Sequence, residues 1–446
     1  MTDLRTLLDA AAGSLPADGR SRAQIAVRTA RRVRRTRVVA VVAATVAAVL
    51  AGSLVVPVAD RLGSIEPAGP SEVPGLPDQI YPVPLHAPSV GEGAAFGQPA
   101  AYLLGGVPRA DGWSGQTCCH LAVVGASTDE YAFLDLPGTT GDAHGGESGA
   151  RLAPDGRVVA YATVGGGVRM LDLVEGTTRT VDAPPGRQVW SVLAWSGDGT
   201  RIAVATGDPA VGGTNEFGLA TVTVSDQPSW STPDLGVRWN GSTNAVALGP
   251  DGTQIALAQD GELRVAPIDG GSARVLLTGI GPEDHQVAWS PDGERIAVLG
   301  FADRRDQSVA PEGSGAAWFK GRYVEVATGS PGLFDIERGY ELIAMLGFSG
   351  NSHVLVLVSA SSGSGPYAVE RHELTTTNRS IVTRLSDGVD PQQIGAPAAL
   401  LDMSPRASAQ PHDVARAIAP VGVLAALVVL AAVLVIGRLR RRHALR

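Results

Sequence analysis

The stretch that decides the fold is Ala288-Trp-Ser-Pro-Asp-Gly-Glu-Arg-Ile-Ala-Val298. Ala194-Trp-Ser-Gly-Asp-Gly-Thr-Arg-Ile-Ala-Val204 repeats it almost residue for residue, and weaker copies lie at 152–161, 248–257 and 348–356. The turn aspartates, at positions 155, 198, 251 and 292, lie 43, 53 and 41 residues apart. Because this spacing is typical of a unit of four strands, the sequence predicts a repeated four-stranded unit rather than a sandwich of unrelated hairpins.

Each copy predicts the same local structure. Pro-Asp-Gly favours a tight turn, since Pro presets φ, Asp can bond its own backbone and Gly accepts a positive φ. The predicted turn residues are Pro154, Asp155, Gly156, Asp198, Gly199, Pro250, Asp251, Gly252, Pro291, Asp292 and Gly293. Third strands are expected near 168–173, 219–224, 263–268 and 323–327, and fourth strands near 177–181 and 274–278. Trp195 and Trp289 precede the turn, where a large ring is expected to pack between neighbouring units.

These residues resemble the TolB-like, WD-related family of β-propeller repeats, whose hallmark is a Trp-Ser-Pro-Asp-Gly stretch followed by Ile-Ala. The resemblance covers residues 100–403. Gly197 stands where the family has Pro and Gly249 where it has Ser, so looser turns are expected at both places. The resemblance implies an all-β propeller with a general role in binding, and it offers no catalytic residue to carry over.

The number of blades follows from the leftover strands. Five units begin near residues 147, 189, 243, 285 and 341. Residues 398–403 are predicted to form a first strand with nothing after it, whereas 100–105, 121–126 and 130–136 are predicted as second to fourth strands without a first. Joined, they predict a six-bladed β-propeller closed by its N- and C-terminal strands, with seven blades as the alternative. Such closure removes open sheet edges.

Two apolar runs, 38–58 and 417–437, contain no charged residue. At about 1.5 Å per residue, each matches the ~30 Å hydrocarbon core of a bilayer and is predicted to be a transmembrane helix. Residues 1–37 hold nine Arg against three Asp, and residues 438–446 hold five Arg and no acid. The positive-inside rule therefore places both termini in the cytoplasm and the middle of the chain outside. A cleaved signal peptide is the alternative for the first run.

The predicted organisation has seven parts along the chain. They are a basic tail (1–37), a transmembrane helix (38–58), a Pro/Gly-rich linker (59–99), the propeller (100–403), a linker (404–416), a second transmembrane helix (417–437) and a second basic tail (438–446). Within the propeller, 207–216 and 302–316 are Gly- and charge-rich insertions, and long loops on one face are where propellers usually bind. Arg is almost the sole basic residue, as in actinobacteria, so a bacterial cell membrane is the expected location.

The sequence predicts no catalytic, cofactor or metal site. Cys118-Cys119-His120 supplies too few ligands for structural zinc, and a disulfide between neighbouring Cys would be strained. His144 with Glu147, and His285 beside Glu283 and Asp284, are better explained as polar loops. No Gly-x-Ser-x-Gly elbow, phosphate loop or His-Glu-x-x-His motif occurs.

The sequence therefore predicts a non-enzymatic, extracytoplasmic binding or scaffolding module for a protein or envelope polymer. Membrane lipid is the other expected partner, and nucleic acid is not expected, because the middle is acidic and the whole chain has a net charge of −8. One alternative is a transmembrane sensor whose residues 1–37 bind a cytoplasmic partner, for which Leu4, Leu7, Leu8 and Ala11 would share one helical face. The interpretation we favour for that tail is that it lies on anionic lipid and fixes the topology. The other alternative is a metal-dependent propeller hydrolase or lyase.

Overall fold

A computed structural model describes residues 74–110, 116–139, 149–207, 218–239, 241, 245–280, 286–301, 319–334, 340–360, 367–376, 378–387, 389 and 393–408. The chain divides into two units, residues 1–66 with 413–446 and residues 67–412, and every described residue belongs to the second. No helix within the described ranges has the length and apolarity needed to cross a bilayer. Both predicted transmembrane runs and both basic tails lie outside those ranges.

The described residues contain 26 strands, numbered β1 to β26 in chain order, arranged in six sheets. Five sheets are blades of consecutive antiparallel strands. Blade 1 is β6 Arg151–Leu152, β7 Val158–Ala162, β8 Val168–Asp172 and β9 Thr178–Val181. Blade 2 is β10 Gln188–Trp195, β11 Arg201–Gly207, β12 Gly218–Thr223 and β13 Trp230–Ser231. Blade 3 is β14 Val246–Leu248, β15 Gln254–Gln259, β16 Glu262–Pro267 and β17 Arg274–Thr278.

Blade 4 is β18 Gln286–Trp289, β19 Arg295–Phe301, β20 Phe319–Glu325 and β21 Pro331–Phe334. Blade 5 is β22 Tyr340–Ser349, β23 His353–Ala360, β24 Tyr367–Glu373 and β25 Arg379–Leu385. These five blades begin where the repeat predicts them. Most predicted third and fourth strands are confirmed, although the third strand of blade 4 begins and ends a few residues earlier than the predicted 323–327.

The sixth blade joins the two ends of the propeller. Its inner strand, β26 Gln393–Gly395, pairs with β3 Ala100–Ala110, which is followed by β4 Gln116–Gly125 and β5 Tyr131–Leu134. A six-bladed all-β propeller closed by N- and C-terminal strands is thus confirmed. The predicted position of the closing strand, 398–403, is wrong, because Ala398–Leu400 forms a 3₁₀ turn. Leu400 and Leu401 are nevertheless buried, so their apolar character did not distinguish a turn from a strand.

The described part of the segment predicted as a linker, residues 74–99, forms part of the propeller. We call residues 74–98 the N-terminal strap. Its β1 Gln79–Ile80 pairs in parallel with the rim strand β25 of blade 5, and its β2 Ser89–Val90 pairs in parallel with β5 of blade 6. The strap is rich in Pro, and such a segment can occupy a sheet edge because only one side of an edge strand needs its N–H groups. The described part of the predicted linker is therefore a strap across two blades.

The hydrophobic core is divided among the six interfaces between neighbouring blades. Each of six buried clusters joins side chains from two adjacent blades. The second strands, such as Ile202–Val204 in β11, are apolar on consecutive residues because both of their faces meet a neighbouring blade. The cluster between blades 5 and 6 also contains Leu76, Ile80 and Val83 of the strap. Closure of the ring is therefore stabilised by packing as well as by the β26–β3 hydrogen bonds.

Candidate functional site

The inner strands of all six blades surround a central cavity of about 670 Å³. Its wall is mainly apolar. Four of the five repeat copies carry a small residue at the position just before the tryptophan or its equivalent. These residues are Ala194, Ala247, Ala288 and Gly347. At the tryptophan position itself, the wall consists of Leu152, Trp195, Leu248, Trp289 and Phe348. The volume of this cavity lies in the range of small-molecule sites.

Arg151 interrupts this pattern, because it stands in blade 1 where the other copies carry Ala or Gly. Its Nε donates a hydrogen bond to Leu193 O (3.0 Å), and its Nη1 donates one to Ala150 O (3.1 Å). The side-chain amide of Gln393 donates to the same Ala150 oxygen at 3.2 Å. Gln286 also lines the cavity, and its side-chain oxygen accepts a hydrogen bond from Met345 N. Polar side chains from blades 1, 4 and 6 thus line the cavity, and each forms a hydrogen bond with a backbone atom.

The Pro-Asp-Gly turns lie together at one face of the ring, which we call the turn face. Blades 1 to 5 connect their first to their second strand at this face, and all six blades connect their third to their fourth strand there. The four turn glycines have φ between +67° and +73°, and they are Gly156, Gly199, Gly252 and Gly293. In each turn the Asp carboxylate accepts a backbone N–H two residues on, at 2.9–3.0 Å. The turn residues named from the sequence therefore occupy equivalent structural positions.

Two turns add a buried serine. Ser196 donates to Asp198 at 2.6 Å and accepts the N–H of Arg201 at 2.9 Å, while Ser290 makes the same pair of bonds with Asp292 and Arg295. Burial works against ionisation of Asp198, but the hydrogen bonds from Ser196 and Thr200 outweigh it and lower its pKa.

The two repeat tryptophans connect neighbouring blades. The indole N–H of Trp195 donates to Arg151 O of blade 1 at 3.1 Å, and that of Trp289 donates to Ala247 O of blade 3 at 3.3 Å. Both rings also pack on the cluster between their own blade and the preceding one. The structure thus places each tryptophan between units, in the position expected from the repeat.

The two ends of the described propeller meet at the turn face. Pro77 and Arg406 form a parallel bridge, and the Arg406 side chain donates to Gly125 O, Ala126 O and Thr128 O in the turn before β5. Its Nη1 also lies 2.6 Å from Asp129 Oδ1, and both side chains are nearly buried. Residues 404–408, predicted as a linker, are therefore bound to the strap and to blade 6.

The opposite face, which we call the loop face, contains the connections between blades and those between the second and third strands. The predicted insertions at 207–216 and 302–316 join strand ends at this face, although nearly all of their residues lie outside the described ranges. Among the described residues here, Val164 in the β7–β8 turn is a large apolar side chain that is 69% exposed. The loop face thus differs from the turn face, where short turns repeat.

The residues considered for metal or redox chemistry are only partly visible. Cys118 and Cys119 lie on β4, but their side chains are outside the described part of the structure, as are His144, Glu147, Glu283, Asp284 and His285. Within the described part, no three His, Cys, Asp or Glu side chains lie close enough to hold a metal ion. The polar wall residues Arg151, Gln286 and Gln393 were not predicted. Aligning the repeat copies would have shown Arg151 opposite Ala194 and Ala288.

No protein-family model matches the chain, and no curated protein matches it. Among solved structures, it is similar to oligogalacturonate lyase in complex with manganese, with 13% identity and a TM-score of 0.42 over 66% of this chain and 78% of that one. It is also similar to the oligogalacturonate lyase of Vibrio parahaemolyticus, with 8% identity and a TM-score of 0.39 over 71% of this chain and 81% of that one. A chain of the Mitotic Checkpoint Complex is similar as well, with 10% identity and a TM-score of 0.37 over 71% of this chain and 83% of that one. Likeness at this level carries no functional argument, and the fold assignment depends on the strand pairing itself.

Proposed function

We propose that this protein is a membrane-tethered, extracytoplasmic propeller of the TolB-like type that acts by binding rather than by catalysis. The observation that carries the proposal is the meeting of the two propeller ends. Asp78 N donates to Arg406 O at 2.8 Å, Arg406 N donates to Leu76 O at 2.9 Å, and the Asp78 carboxylate accepts bonds from Ser408. Both ends continue in sequence through short connectors toward the apolar runs 38–58 and 417–437.

The charge of the flanks supports the proposed direction. Arginine clusters adjoin the outer end of each apolar run, which favours a cytoplasmic location for both tails. The propeller would then lie outside the cell membrane of a bacterium, tethered at both ends.

We assign partner binding to the loop face. The turn face is occupied by short turns that bond their own backbone and by the junction of the chain ends. The loop face instead has the longest connections and the exposed side chain of Val164. Functional contacts concentrate on loops that a rigid scaffold holds in place. The partner is proposed to be an extracytoplasmic protein or an envelope polymer.

Site-specific photo-crosslinking in living cells tests this assignment. A photoreactive amino acid at Val164 is expected to yield discrete cross-linked products. The matched control is Val275, which is also an exposed valine but lies on the rim strand β17. Equal products from both positions, or products at Val275 alone, would show that the loop face is not the binding surface.

A further inference from the structure

We propose that the junction of the two propeller ends is a mechanical clamp, which keeps the ring closed when its ends are pulled apart. The junction consists of residues 75–78 of the strap and residues 404–408. Membrane segments at both ends would be the source of such a force, so the biological use of the clamp rests on the function proposed above. The clamp itself rests on the direction in which the two segments pair.

The two segments of the junction run parallel to each other. Arg406 N donates a hydrogen bond to Leu76 O at 2.9 Å, and Arg406 O accepts one from the N–H of Asp78 at 2.8 Å. One residue that bonds the two neighbours of its partner gives the slanted pattern of a parallel pair, and Pro77 is the partner here. The strap and the C-terminal segment therefore point in the same direction.

The flanks of the junction consequently leave it from opposite ends. At one end Gly75 lies beside Ser404, because a Cβ on Gly75 would be 3.2 Å from Ser404 O. At the other end the Asp78 carboxylate accepts bonds from Ser408 N at 2.9 Å and from Ser408 Oγ at 2.6 Å. A force that separates the flanks pulls the segments past each other and loads all of these bonds at once. Flanks at the same end would instead peel the segments apart one bond at a time, which needs less force.

Both segments are also bound to the body of the ring. The guanidinium of Arg406 donates to three backbone oxygens in the turn 125–129 of blade 6 and pairs with Asp129. On the strap, Pro77 O accepts a bond of 2.7 Å from the buried hydroxyl of Thr383 in blade 5. Hydrogen bonds from a charged group are stronger than neutral ones. A force on the C-terminal flank therefore meets the clamp before it reaches the three-residue closing strand β26.

Constant-force stretching of the full chain in lipid nanodiscs tests the clamp. In a Cys118→Ser, Cys119→Ser background, DNA handles are attached at Ser71→Cys and Gln410→Cys, which load the junction from opposite ends, or at Ser71→Cys and Ser404→Cys, which load it from one end. The time until the first extension step at a fixed force is expected to be at least about tenfold longer for opposite ends, since several hydrogen bonds must break together. Equal times, or a longer time for loading from one end, would overturn the proposal.

Substitutions separate the clamp from a general contribution to stability. Arg406→Met is expected to shorten the time to the first step at least about tenfold when the junction is loaded from opposite ends. Arg157→Met removes a turn-face arginine that pairs with Asp172 and Glu175 outside the junction, and it should change that time less than about twofold. Arg406→Lys keeps a charge beside Asp129 without the planar fork, so it serves, with a smaller expected effect, if Arg406→Met fails to fold.

A third pair of attachment points shows whether the effect depends on the direction of the force. Handles at Val275→Cys and Leu333→Cys, which are exposed on the rim strands of blades 3 and 4, load the ring away from the junction. Arg406→Met should then change the time less than about twofold, because bonds that are intact in the transition state do not alter the rate. Equal shortening in both directions, or no shortening from opposite ends in a folded Arg406 variant, would contradict the clamp. The location of the tails in the cell does not enter these measurements, so the clamp can fail while the proposed tether stands.

Discussion

Gly156 and Gly199 occupy the same position of the repeat and have nearly the same backbone, with φ of +73° and +71°. Their surroundings differ. A Cβ on Gly156 would overlap Ala100 O of blade 6, whereas a Cβ on Gly199 would have Pro154 Cδ at 3.9 Å as its nearest neighbour. Because Gly156 O also accepts the Ala100 N–H at 2.8 Å, this turn of blade 1 is bonded directly to the second strand of blade 6.

We therefore expect Gly199→Ala to lower the free energy of unfolding by ~1 kcal/mol, the cost of a left-handed non-glycine residue. Gly156→Ala should lower it by ~3 kcal/mol or more, since backbone must also shift. Urea unfolding of the full chain in nanodiscs, followed by tryptophan fluorescence, measures both. Equal losses in the two variants would show that blade 6 does not contact this turn.

The ionisation of Asp198 is expected to make the stability of the fold depend on pH. Its folded-state pKa is lowered by hydrogen bonds from Ser196 and Thr200, so the ionised form contributes stability above the unfolded pKa of about 3.9. That contribution is lost as pH falls through the folded pKa. Asp198→Asn should therefore flatten the acid side of the stability profile, measured as melting temperature between pH 7 and pH 3. Asp226→Asn, which removes a carboxylate whose ion pair with Arg179 is 4.0 Å long, is the control, and identical profiles for both variants would contradict the assignment.

At the scale of elements, Arg406 joins residues 404–408 to the strap and to blade 6. Its guanidinium has four hydrogen-bond acceptors and is 10% exposed. Arg406→Met leaves Asp129 nearly buried without this partner, and removal of one member of a buried ion pair typically costs 3–5 kcal/mol. We expect a loss of ~3 kcal/mol in the free energy of unfolding. Arg179→Met, in a partly exposed pair, should change it by less than ~0.5 kcal/mol. Comparable losses would mean that Arg406 does not anchor the closure.

The elements also show how far the sequence could predict the fold. Pro-Asp-Gly turns and β-branched runs are local signals, so the starts of blades 1 to 5 were found. The closing strand β26 has three residues and no turn of the repeat after it, so nothing local marked it. The strap was missed because its strands have two residues each and their partners are about 45 to 300 residues away. Leu76 and Ile80, buried between prolines, were the signal available.

At the scale of the whole molecule, closure of the ring places the inner strands of all six blades around a central cavity. The ring places Arg151 opposite cavity walls from other blades, and the repeat alone does not show which residues face the cavity. The proposed loop-face surface and the cavity both follow from that arrangement.

Closure also predicts the topology of the full chain, since a ring whose ends meet can be held by two membrane segments with both tails on one side. In a Cys118→Ser, Cys119→Ser background, single cysteines are introduced as Thr2→Cys, Val275→Cys and Ala444→Cys and treated with a membrane-impermeant maleimide. The account predicts labelling of Val275→Cys in intact cells, and of Thr2→Cys and Ala444→Cys only after lysis. Labelling of either terminal cysteine in intact cells, or protection of Val275→Cys until lysis, would contradict it.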